Sequence, residues 1–148
     1  MARAPFKNAP LLTPQELQSR LGELDKAIEE FNDGYWFESH ETLEDLWMVT
    51  PLPERTFMQG IIQAAAAFVH LARREYPGTL KLLDLSIEKL RVFVPEQFGV
   101  DVARLAGDLQ AARDELAALG EKRFLEWDYG RAPKIHRVAG GGRRGRRR

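Results

Sequence analysis

Gly60-Ile61-Ile62-Gln63-Ala64-Ala65-Ala66-Ala67-Phe68-Val69 decides the fold, because small and apolar residues run through it without the alternation that a half-buried strand needs. Wound as a helix, it is apolar around almost its whole circumference, and such a helix requires neighbours on every side. The stretch reads as the middle of a third helix, from about Glu54 to Arg74, buried at the centre of a bundle. Gln63 is the polar exception within it.

Outward from that helix, Pro51 and Pro53 break the chain on one side, and Tyr76-Pro77-Gly78 makes a turn on the other. A second helix is expected from about Tyr35 to Met48, preceded by the turn signal Asn32-Asp33-Gly34. The first helix opens at Thr13-Pro14-Gln15-Glu16, a capping box with proline at the first helical position, and carries Leu17, Leu21, Leu24, Ile28 and Phe31 on one stripe. Leu80, Leu83, Ile87 and Leu90 give a fourth amphipathic helix closed by Pro95. Asp101 caps a fifth, on which Val102, Leu105, Leu109, Ala112 and Leu116 repeat before Gly120. No strand-period segment competes, so the expected class is all-α, a compact bundle of about five helices. Residues 1–12 read as an N-terminal extension, 13–120 as the bundle domain, 121–139 as a C-terminal arm and 140–148 as a disordered Arg/Gly-rich tail.

The chain has 148 residues, a length that suits one domain. With no cysteine it has no disulfide framework, thiolate metal site or cysteine nucleophile, and a cytoplasmic location is expected. No uninterrupted apolar run is long enough to span a membrane, so no membrane partner is expected. The 22 basic and 22 acidic residues cancel. That balance hides an asymmetry: six arginines and no acids lie from Arg137 onward, which leaves 16 basic against 22 acidic residues before it. An acidic body therefore carries a cationic tail.

The second helix carries polar groups where core should be. At about 100° per residue, Trp36, Leu43 and Trp47 fall on one line, Phe37 and Met48 on another, and His40 and Glu44 between them. Glu41 lies at the margin of that arc and Glu38 outside it. A carboxylate inside an apolar face needs partners. On the third helix Gln59, Gln63, Ala66 and His70 share the less apolar face, so His40, Glu44, Gln59, Gln63 and His70, with Trp47 beside them, are the candidate polar cluster or ligand pocket. Arg55 and Arg73 are candidate counterions at its ends.

Three readings follow: a hydrogen-bonded network that fixes helix register, a small-molecule or ion pocket, and a metal site. In the metal reading a divalent ion is held by His40, Glu44 and His70, with Glu41 as base for a bound water in a metal-dependent hydrolase. His40-Glu41-Thr42-Leu43-Glu44 is H-E-x-x-E and lacks the second histidine of H-E-x-x-H, and the Glu-x-x-His pairs of di-iron bundles are absent because Phe37 and Ala67 stand where glutamates are needed. A binding or structural module is the leading expectation, and no catalytic residue beyond the candidate Glu41 is assigned.

The pattern Phe31-Asn32-x-Gly34, Phe37-Glu38-x-His40-Glu41-x-x-Glu44-x-x-Trp47, then Gln59-Gly60-x-Ile62-Gln63-x-Ala65 and His70 resembles the family known as domain of unknown function 309, small all-helical proteins of bacteria and archaea. The resemblance covers about Leu24 to Leu90. It implies a compact helical bundle, a cytosolic prokaryotic protein and a signature that includes His40, Glu41, Glu44, Trp47, Gln59, Gln63 and His70. It implies no activity, substrate or cofactor. The loop Val49-Thr50-Pro51-Leu52-Pro53 departs from the more polar, glycine-containing form usual in that family.

Arg143, Arg144, Arg146, Arg147 and Arg148 are candidates for weak, salt-dependent contact with nucleic-acid phosphates. No aromatic is interleaved to stack on bases, and the alternative is a solvated tail. A second copy of the chain is the other candidate partner.

Overall fold

The computed structural model describes residues 10–139 and is all-α. The expected Arg/Gly-rich tail and most of the expected N-terminal extension lie outside the described residues. In chain order the helices are α1 (Pro14–Ser19), α2 (Leu21–Asn32), α3 (Trp36–Val49), α4 (Glu54–Ala72), α5 (Tyr76–Leu90) and α6 (Val102–Arg123). Between α5 and α6 a two-residue antiparallel ladder pairs β1 (Glu96–Gln97) with β2 (Val100–Asp101).

The first helix of the sequence reading is two helices. Thr13 makes the capping box: its hydroxyl accepts from the Glu16 N–H at 3.2 Å, and the Glu16 carboxylate accepts from the Thr13 N–H at 2.9 Å. One turn on, the Ser19 hydroxyl donates to the Glu16 carbonyl at 2.7 Å, a local bond that competes with the helical ladder, and Arg20 leaves helical geometry at φ −106°. The leucine stripe runs on regardless, with Leu17, Leu21, Leu24, Ile28 and Phe31 all buried. Hydrophobic spacing alone therefore did not reveal the break.

Two more differences have local causes. The β1–β2 ladder has two residues per strand, too few for a readable period, and turns on Phe98 and Gly99 at φ 52° and 77°. Gly120, expected to end the fifth helix, is a kink at φ 77° after which helix resumes to Arg123.

α3 and α4 form an antiparallel hairpin: Trp36 at the start of α3 stacks on Phe68 near the end of α4 at 5.3 Å, and Arg55 at the start of α4 lies 4.8 Å over the Trp47 ring. From Glu54 to Leu71 no residue of α4 is exposed. α4 packs on α3 and on α5. Gly60 permits the closer of these approaches, because a Cβ there would stand 2.9 Å from Leu90 Cδ2, and the Ser86 hydroxyl donates to the Gly60 carbonyl at 2.6 Å.

Residues 124–139 lie along α2 and α6. Asn32 fixes them twice, donating to the Ile135 carbonyl at 2.9 Å and accepting from its N–H at 2.7 Å. Arg137, the first of the six C-terminal arginines, donates to the Phe98 carbonyl at 2.8 Å and pairs with Asp25 on α2. On α6, Glu115 accepts from the Trp127 indole at 2.9 Å and from Arg131 at 2.9 Å.

Those two donors hold the Glu115 carboxyl at about 2, the Arg131 bond being the larger cause. A carboxylate whose folded pKa lies below its unfolded value contributes stability above the unfolded value and loses it on acidification. The hold of Glu115 on the arm should thus be complete near neutrality and fade as pH falls from about 4.5 towards 2. Trp127 fluorescence should follow that fade, and Glu115→Gln should abolish the transition. Persistence of the same transition in the variant would assign it to another group.

Candidate functional site

The α3–α4 hairpin fixes which polar residues can meet. Because Trp36 contacts Phe68 and Trp47 contacts Arg55, the antiparallel register brings His40 level with Gln63 and Glu44 level with Gln59. Glu44 is buried, with 3% of its side chain exposed, and His40 keeps 12%. His40 Nε2 stands 3.8 Å from Glu44 Oε2, close enough for an ion pair when the ring is protonated and too far for a hydrogen bond. The Phe37 ring lies 5.6 Å from His40 and covers it from the N-terminal side. Glu38 and Glu41 are exposed.

His40, Glu44, Gln59 and Gln63 are neighbours in level, yet among the described residues no side-chain hydrogen bond joins any two of them. Gln63 Oε1 is buried and has no partner there. The seam is therefore not the connected network of the first sequence reading. Trp47 Nε1 is a second buried atom without a partner, at the far end of the seam under Arg55. Arg55 thus serves as a cation over an indole face and not as a counterion to Glu44.

His70 does not join the group. It lies seven residues past Gln63, about 10 Å further along α4 at 1.5 Å per residue. Its Nδ1 stands 2.6 Å from Glu75 Oε1, in an orientation that makes no hydrogen bond, and rests against Gly78, where a Cβ would approach it to 2.8 Å. The three ligands expected of a metal site, His40, Glu44 and His70, are accordingly not assembled, and among the described residues no three His, Asp or Glu side chains form a group able to hold a metal ion. The candidate base Glu41 points to solvent beside no such centre. Helical spacing put His40 and His70 on matching faces, but it carried no information about level along the hairpin.

One feature is legible in the sequence only as separate aromatics, Trp36 and those from Phe124 to Tyr129, able to complete the core or to cover a partner surface. Trp36, Phe68, Trp127 and Tyr129 form a closed ring of aromatic contacts at 5.3, 6.1, 6.0 and 6.2 Å, joining α3, α4 and the arm. Phe31 meets Phe68 edge-on at 6.2 Å. The aromatics after Gly120 were the available signal, though nothing in their spacing named Trp36 and Phe68 as their partners. Burial pushes the Tyr129 hydroxyl above its ordinary pKa, against the lowering effect of Arg74.

The arginines at 143, 144, 146, 147 and 148 lie outside the described residues. No helix among the described residues is long and apolar enough to cross a membrane.

Comparison with known proteins agrees with the motif that runs through this hairpin. Over 84 residues the chain is 32% identical to the uncharacterized protein YpuF of Bacillus subtilis (strain 168), an alignment that covers 55% of this chain and 48% of that protein. The chain thus spans about half the length of the curated relative it matches. No solved structure matches it. Residues 24–82 match the family model described as domain of unknown function (DUF309). The match runs from Leu24 in α2 through α3 and α4 into the first half of α5, and it is to the family that the pattern from Phe31 to His70 resembles.

Proposed function

We propose that the domain is a binding module, and that the seam between α3 and α4 takes a small ligand rich in hydrogen-bond donors, such as an amine, amide or guanidine. The observation that carries this reading is Gln63 Oε1, a buried acceptor without a partner, at the level of the largely buried His40 and about one turn from the level of Glu44. An unpaired buried acceptor costs about 1–3 kcal/mol, a cost that a donor-bearing ligand would offset. Glu44 adds a second acceptor, which favours a cationic donor. Ala66, one turn beyond Gln63, is small and only half-buried.

Two-dimensional NMR with guanidinium, acetamide and acetate as probes tests this reading. Guanidinium or acetamide should shift the Gln63 side-chain amide and the His40 ring signals together, and Gln63→Leu should remove the response. Shifts confined to other residues, or equal shifts with acetate, would contradict it. The register-fixing reading retains the same residues as structural parts and expects no ligand response at all.

Contact of Arg143, Arg144, Arg146, Arg147 and Arg148 with nucleic-acid phosphates is a separate proposal. Binding that weakens with salt and disappears on deletion of residues 140–148 would support it, and binding that survives the deletion would overturn it.

A further inference from the structure

Beside the Asn32-Asp33-Gly34 turn, the start of α3 and the end of α4 enclose a groove of about 330 Å³ lined by Tyr35, Trp36, Phe37, Glu38, Val69 and Arg73. Its lining is mainly apolar, and it leaves two large aromatics uncovered, Tyr35 at 60% exposure and Phe37 at 39%. Scattered exposed apolar residues are ordinary, but aromatics contiguous along one groove mark a contact surface. Glu38 and Arg73 stand on its rim, one on each helix, and neither side chain makes an ion pair among the described residues.

We propose that this groove is a two-fold contact with a second copy of the chain. The rim charges select that occupant. An acidic partner would satisfy Arg73 and meet repulsion from Glu38, and a basic partner would do the reverse. A second copy placed by a two-fold axis presents its own Arg73 to Glu38 and its own Glu38 to Arg73, because in such a contact every pairing occurs twice in reciprocal form. It also brings a second Tyr35 and Phe37 to cover the first pair. Each rim charge independently favours its own helix end, an acid at the start of α3 and a base at the end of α4. That local role gives no reason for two uncovered aromatics and makes no demand on assembly, so the two accounts separate in experiment.

The full chain, freed of nucleic acid, is studied by analytical ultracentrifugation as wild type, Glu38→Arg, Arg73→Glu and an equimolar mixture of the two variants, with circular dichroism to show that each is folded. Wild type should dimerise with concentration. Either variant alone sets like charges against each other twice and should remain monomeric. In the mixture both contacts again join unlike charges, and a heterodimer should appear. Tyr35→Ser, which leaves the charges untouched, should weaken wild-type association at least tenfold. A wild type that stays monomeric at millimolar concentration, a dimer indifferent to both charge reversals, or a mixture that fails to associate would each overturn the proposal.

Discussion

Phe68→Ala should cost about 3–5 kcal/mol, the range for removing a fully buried phenylalanine from a core that relaxes only in part. Phe68 has no exposed surface, stacks on Trp36 at 5.3 Å and on Trp127 at 6.1 Å, and receives the Phe31 edge at 6.2 Å. Its removal opens the aromatic ring at the point where α3, α4 and the arm meet. Urea denaturation should show a lower midpoint at an unchanged slope. The near-ultraviolet circular dichroism of Trp36 and Trp127 should fall as well, since their shared neighbour is gone. A loss below about 1 kcal/mol would mean that the arm closes over the gap, and that the ring is not the joint described here.

Glu44→Gln is the second large effect, expected to lower stability by about 1–3 kcal/mol, because it keeps the volume of a buried side chain and removes the partner charge that faces the largely buried His40 ring. Glu44 is 3% exposed and faces His40 at 3.8 Å on its own helix. If the pair matters, His40→Ala and Glu44→Gln will not add: the double variant should lose less than the sum of the singles by about 0.5 kcal/mol or more. Strict additivity in a denaturation cycle would show that the two side chains do not feel each other.

The repeating leucines of α2, the apolar circumference of α4 and the capping signals at Thr13 and Asp101 were readable because each acts through neighbours in the chain. The break at Arg20 was not, since the same stripe passes straight through it and the local Ser19 bond leaves no mark on hydrophobic spacing. The candidate site divides along the same line. Inward placement of Glu44 follows from angle around a helix. The separation of His70 from His40 follows from the lengths of α3 and α4 and the loop between them, which set the register of the hairpin. Asn32 illustrates the remainder: the sequence marks it as a turn residue, and only the folded chain reveals that it pins Ile135, more than a hundred residues later.

The charge asymmetry has a structural counterpart in Arg137, which is seated on Asp25 of the acidic body.

The central claim is that the α3–α4 seam keeps Gln63 polar for binding and at a cost to the fold. The most direct test is the urea midpoint of Gln63→Leu against wild type. Removing a buried acceptor that has no partner should raise stability by about 1 kcal/mol at unchanged slope. A fall of similar size would contradict the account, because it would show that Gln63 already earns its place in the folded chain without a ligand.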